Sequence, residues 1–403
     1  MWLEPFSLRL DSPLETARGP ISERRGLLVG IEREPGDDGD AGHSGLGEAT
    51  PLPGWTESYA DCEATLSALA DCEEGDAGGD EATDGAADAG DMGDDEASDA
   101  DDGLLTAVDD AESAATVLDA TGIDPDSTPA AAHAVELAAL DAAGRRTDTS
   151  LATLLRRAAF GDRDDAVETI PKAVSVNATI GDGDVESTVS AAEAAIEAGF
   201  DCLKCKVGNR GVDDDIERIR AVRSAVGEGV ELRVDANGAW GRASAIRAVH
   251  ALAALDVALV EQPLPAEDLV GHRELRRRGV DIAVDESLAA YDLTEVLAAE
   301  AADVVVCKPM ALGGPLRAAT AAATARAAGV EPVVTTTIDA VVARTAAVHV
   351  ARAIPDVSAC GLATASLLAA DLASDPVTIA EGTASVPTGG GLCGDGFASL
   401  AKR

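Results

Sequence analysis

Two lysines and three carboxylates, each near the end of a short apolar run, recur along the chain at an even cadence. Leu203-Lys204-Cys205-Lys206 is followed by Leu232-Arg233-Val234-Asp235, Leu259-Val260-Glu261, Ile282-Ala283-Val284-Asp285 and Val304-Val305-Val306-Cys307-Lys308. The intervals from Lys206 through Asp235, Glu261 and Asp285 to Lys308 are 29, 26, 24 and 23 residues. Three acids offer hard oxygen ligands to a divalent cation. A lysine on either side could move a proton or stabilise developing negative charge.

A strand, its crossover helix and two loops occupy about that much chain, and parallel strands need such a crossover. The cadence therefore predicts an α/β fold, a (β/α)₈ barrel in which five successive strand ends converge on one mouth. Any one of these residues alone is more simply a solvated strand end or a helix N-cap. Lysine–carboxylate networks also occur without chemistry, but three acids spaced to meet at one point favour a cation.

The other elements follow from periodicity. Barrel strand one is expected at 173–180, strand seven at 331–337 and strand eight near 357–361, with alanine-rich helices at 314–328 and 339–354. Ahead of the barrel, residues 1–72 read as a small antiparallel sheet with strands at 6–10 and 26–31, and 103–157 return to helical periodicity, clearest at 131–141. Residues 73–102 hold 14 acids, no Lys or Arg and one large apolar residue, Met92. They cannot repay the entropy of ordering and are expected to form a disordered acidic insert. The domain expectation is an N-terminal α+β capping domain at 1–160 and a barrel at 170–370.

Composition narrows the function classes. The formal net charge is −42, and removing the insert still leaves −28 over the remainder of the chain. Such a surface repels nucleic acid and anionic membrane and needs screening by salt. A cytoplasmic protein of a salt-accumulating halophile is the natural expectation. There is no uninterrupted run of about 20 apolar residues for a membrane span, and Met1-Trp2-Leu3-Glu4-Pro5 does not open a secretory signal. Seven dispersed cysteines suggest a reducing compartment. Cys202 and Cys205 have the spacing of a redox or zinc pair, yet strand alternation sends them to opposite faces, as small apolar fillers.

Lys204-x-Lys206, Asp235-x-Asn237, Glu261-Gln262-Pro263, Asp285-Glu286-Ser287 and Lys308-Pro309 with Gly313-Gly314 resemble the signature of the enolase superfamily, in its muconate-cycloisomerase-like branch. Within that branch the chain most resembles the o-succinylbenzoate synthase family of menaquinone biosynthesis. The likeness extends to Pro13-Leu14-Glu15-Thr16-Ala17-Arg18-Gly19, to the stretch from Gly45 to Trp55 and to the stretch from Gly361 to Leu368. The resemblance implies that the segment 371–403 returns to the capping domain. It implies Mg²⁺, with Mn²⁺ as an alternative, held by Asp235, Glu261 and Asp285. Lys206 becomes the general base, with Lys308 stabilising the enolate. Lys204, Arg233, Asn237, Thr335, Gly361, Thr16 and Arg18 become substrate contacts, the last two on a mobile loop.

The implied reaction is a dehydration (carbon–oxygen lyase) of a small carboxylate substrate. Two lysines facing each other across a ligand also suit an N-succinylamino acid racemase or a related epimerase. A dipeptide epimerase would carry an Asp-x-Asp pair where Gly361-Leu362-Ala363-Thr364 stands, and a mandelate-racemase-like member would need a histidine base between Thr335 and Arg344; this chain has neither. A non-catalytic protein that recruits basic partners through its insert is a further alternative, set against the intact lysines and acids.

Overall fold

The computed structural model describes residues 1–14, 19–31, 44–76, 111–161 and 172–400. Three antiparallel strands, Trp2–Leu14, Ile21–Ile31 and Gly45–Ala49, form the cap sheet. The helix Pro129–Arg146 lies across it. Gly45 and Gly47 allow that approach, since a Cβ at either would collide with the carbonyl oxygen of Ala138 or Ala134. Both cap strands foreseen from the sequence are longer than expected. The sequence reading gave no helix to the stretch that forms Tyr59–Asp76, which covers the start of the expected insert. The rest of that insert lies outside the described residues, as do Thr16 and Arg18.

Seven parallel strands run in sequence order: Ala178–Ile180, Cys202–Lys206, Glu231–Asp235, Val257–Glu261, Asp281–Val284, Val304–Cys307 and Glu331–Val334. The eighth is reduced to Cys360 and Gly361, which bridge to Val176 and Thr335 and close the (β/α)₈ barrel. The segment expected as one first strand is divided. Ala173–Ser175 pairs antiparallel with Thr383–Ser385 in a separate three-stranded sheet, and only Ala178–Ile180 joins the barrel. The helices Pro315–Ala327 and Val341–Ala353 fall within a few residues of the expected ranges.

Small side chains let the barrel helices pack closely on the cap, and both contribute to one continuous apolar core. Buried carboxylates tie distant segments of the chain together. Asp141 accepts the backbone N–H of Leu46 at 3.0 Å and of Leu392 at 2.8 Å. Glu136 accepts that of Leu316 at 2.7 Å, in the first turn of a barrel helix. Next to Asp141, Gly391 bonds in both directions, N–H to Thr149 and carbonyl to Leu151. Helix N-termini on the barrel exterior are closed locally, by Asp184 on Ser187 N–H and by a reciprocal Asp292–Glu295 capping box.

Candidate active site

Strand register fixes where the ionisable residues emerge. Lys206 pairs with Asp235 and Asp235 with Glu261, so these three form one row across adjacent strands. Glu261 pairs with Ala283, which places Asp285 two residues nearer the mouth, just past the fifth strand. Lys308 follows the sixth strand in the same way. With Lys204, all five line one pocket of about 650 Å³, together with Asn237, Glu286 and Thr335 to Ile338 from the barrel and Gly19, Leu52 to Trp55 and others from the cap.

Each carboxylate of the row meets an ammonium. Lys206 Nζ lies 2.7 Å from Asp235, Lys204 Nζ 2.9 Å from Glu261 and 3.4 Å from Asp235, and Lys308 Nζ 2.8 Å from Asp285. Burial opposes the charge on Asp235, but Lys206 and Lys204 outweigh it and hold that carboxyl below its ordinary range. For Lys204 the cost of burial is likewise exceeded by Glu261 and Asp235, which raise its pKa. Glu261 is pushed up by burial and then by Asp235. Burial also raises Asp285, against the pull of Lys308.

With lysines placed between the acids, no three His, Cys, Asp or Glu among the described residues stand grouped to share one metal ion. The donor set nevertheless fits a hard divalent cation. Asp235, Glu261 and Asp285 are all oxygen ligands lining one pocket, and Asp285 Oδ1 is buried without a hydrogen-bond partner. A dication among buried carboxylates would also favour their ionised forms.

The supporting contacts are specific. Gln262, fully buried, takes the backbone N–H groups of Asp285 and Ser287 on its Oε1 at 2.8 and 3.2 Å. Its Nε2 donates to Leu264 O and Ser287 Oγ and meets the His272 ring. One side chain thereby links the ends of the fourth and fifth strands. Asn237 Oδ1 accepts from Lys206 at 2.9 Å, while its Nδ2 donates to Glu286 at 3.0 Å. Glu286, to which the sequence reading assigned no role, adds a fourth carboxylate to the pocket. Its position directly after Asp285 was the available signal.

Two residues expected to contact substrate are not in this pocket's lining. Arg233 is buried below the pocket, its Nη1 donating to Ala359 O across the barrel and its Nε to Glu231. It shares a strand face with Asp235 but sits one pleat deeper, outside the pocket lining. Gly361 is also outside that lining. Its carbonyl accepts the Thr335 hydroxyl at 2.8 Å, and a Cβ at Gly361 would strike Thr335. Cys202 and Cys205 are both buried, with thiols pushed up to about 12, chiefly by burial. His133, His272 and His349 are buried away from the pocket.

Residues 187–394 match the family described as enolase C-terminal domain-like. The chain belongs to the enolase superfamily. Its relatives fall in the muconate-cycloisomerase-like branch. It is 40% identical over 218 residues to the o-succinylbenzoate synthase of Thermobifida fusca, covering 53% of this chain and 66% of that protein. It is 36% identical over 188 residues to a hydrophobic dipeptide epimerase of Enterococcus faecalis, covering 46% and 49%. The chain thus spans between about half and two thirds of these curated relatives. The substrate-liganded L-Ala-D/L-Glu epimerase of Bacillus subtilis superposes with a TM-score of 0.74 at 25% identity, over 97% of both chains. Among the described residues no helix is long and apolar enough to cross a membrane.

Proposed function

We propose that this chain is an Mg²⁺-dependent o-succinylbenzoate synthase, which dehydrates 2-succinyl-6-hydroxy-2,4-cyclohexadiene-1-carboxylate to 2-succinylbenzoate. The entry of Lys206 and Lys308 into one carboxylate-lined pocket from the second and sixth strands of the barrel supports proton abstraction beside a carboxylate, and the 40% identity to an o-succinylbenzoate synthase is the observation that favours dehydration. The pocket wall after strand seven supports it. Thr335, Thr336 and Thr337 present no carboxylate there, and Thr364 bonds Thr336 rather than offering an acid for a substrate amine. A neutral wall suits a succinyl tail better than an ammonium.

Lys206 removes the proton alpha to the substrate carboxylate, leaving its electron pair on an enolate. That pair then expels the hydroxyl group, and the proton on Lys206 leaves with it as water on the same face. Asn237 and Asp235 orient the Lys206 ammonium, and Lys308 places positive charge opposite. Asp235, Glu261 and Asp285 would hold Mg²⁺, which when bound offsets the second negative charge that develops on the carboxylate.

N-Succinylamino acid racemisation is the second reading, favoured by the same pair of lysines, one for each face of a substrate. Incubation of the protein with Mg²⁺ in molar KCl, with the cyclohexadiene acid and separately with N-succinyl amino acids in deuterated water, decides between them. Formation of 2-succinylbenzoate supports the synthase. Alpha-proton exchange in the amino acids without dehydration of the diene overturns it in favour of the racemase.

A further inference from the structure

Lys308 has a second partner that comes from the cap. Its Nζ lies 3.1 Å from the centroid of the Trp55 ring, on the face of the indole, while donating to Asp285 at 2.8 Å. Lys308 is only 8% exposed, so the ammonium is held between a carboxylate and an aromatic face with little water around it. Tryptophan is the strongest of the aromatic rings for this attraction, which grows as the cation is desolvated.

The loop that carries Trp55 is built to stay in place. Trp55 N–H closes a turn on Leu52 O at 2.9 Å, and Leu52 N–H donates to Thr56 Oγ1 at 2.7 Å. Gly54 supplies the left-handed backbone at φ +101°. Before the turn, the buried Arg24 guanidinium donates to Thr50 O and Pro51 O, and its Nε reaches Ile338 O in the pocket wall after strand seven. Trp55 also lines a second cleft, with Leu118, Tyr291 and Leu312, so it borders both that cleft and the lysine pocket. A lysine has four rotatable stem bonds and no preferred planar partner. Without the indole, the cap side of the Lys308 ammonium would open to the neighbouring cleft.

We infer that Trp55 is a positioning residue for Lys308: the cap completes the barrel site by laying an indole face against the ammonium, which fixes where the positive charge stands. The functional part of this inference rests on the role proposed above for Lys308, whereas the contact itself does not.

The test has two arms. A protein with Trp55 as its sole tryptophan, made by Trp2→Phe and Trp240→Phe, is compared with the same protein carrying Lys308→Met. Loss of the ammonium is expected to change the emission maximum and quantum yield of Trp55, and identical spectra in two folded proteins overturn the contact. In steady-state assays with the accepted substrate, Trp55→Leu is expected to lower kcat about tenfold with little change in KM, and Trp55→Phe to recover most of the loss. Equal activity of the Leu and Phe variants, or a change confined to KM, overturns positioning in favour of space filling or substrate contact. If the parent protein turns over neither proposed substrate, the proposed function fails, and the fluorescence arm still decides the contact.

Discussion

Glu48, on the third cap strand, accepts the backbone N–H of Ala340 at 2.8 Å across 292 residues of sequence. Its other oxygen takes Ala343 N–H at 2.8 Å, so a cap carboxylate closes the first turn of the barrel helix Val341–Ala353. Burial, and then Asp339, raise Glu48 from 4.5 to about 7. A carboxyl raised on folding favours the native state fully at pH values below its unfolded pKa, and that contribution is lost as pH climbs through the folded value. Glu48→Gln replaces one acceptor with a donor facing a helix N–H, at an expected cost of about 1–3 kcal/mol. Its melting temperature should fall, with a flatter slope between pH 5 and 7 than the parent. Matching melting curves at both pH values would remove Glu48 from this role.

Gln262 joins the backbones after two strands that supply proposed cation ligands. Replacing it with leucine keeps the volume but strands the N–H groups of Asp285 and Ser287. Calorimetric titration with Mg²⁺ should report affinity weakened by about tenfold or more, the range for residues that orient ligands. Unchanged affinity would show that Asp285 is held without it.

Chelation gives the broadest test. Turnover is expected to fall to background in EDTA and to return with added Mg²⁺, and Mg²⁺ should raise the melting temperature, because a ligand of the native state alone stabilises it. Full activity after exhaustive chelation would sink the assignment of Asp235, Glu261 and Asp285.

The two lysines are predicted to differ. Lys206→Ala should abolish dehydration, since it removes the proposed base while the neighbouring Lys204 is paired with Glu261 and Asp235. Lys308→Arg should keep more activity than Lys206→Arg, because a fixed positive charge partly replaces the role of Lys308 but not proton transfer. If Lys206→Ala dehydrates the diene at the parental rate, the base is misassigned.

Salt should act on the fold itself. With a net charge of −42, lowering KCl from molar to about 0.1 M lengthens the screening distance from about 3 to about 10 Å and lets surface carboxylates repel one another. The melting temperature is expected to drop. A constant value across that range would refute the halophilic expectation.

The barrel was legible because its chemistry and its period coincide. Lys206, Asp235, Glu261, Asp285 and Lys308 each end an apolar run, and strand alternation alone sends them toward the same lumen. The same alternation gives Arg233 its face but not its depth below the pocket lining, a coordinate that periodicity does not carry. The first strand reads as continuous in the sequence because nothing local marks the place where 173–175 leave for a hairpin at Ile379–Ala380 and Thr383–Ser385. Trp55 escaped notice as a site residue for a related reason. Its partner is 253 positions away, and only the docking of cap on barrel brings the two together.

The three segments gathered at Asp141 have a consequence for biosynthesis. Leu46 lies 95 residues before it and Leu392 lies 251 after it. At ribosomal speeds of about 5–20 residues per second, roughly 13 to 50 seconds separate the emergence of Asp141 from that of its last partner. The cap can therefore be completed only after the whole barrel between its halves has been synthesised. Through that interval the apolar surface that Leu392 helps to cover is incomplete, and the mutual repulsion of so many carboxylates would oppose association of nascent chains before residue 392 arrives.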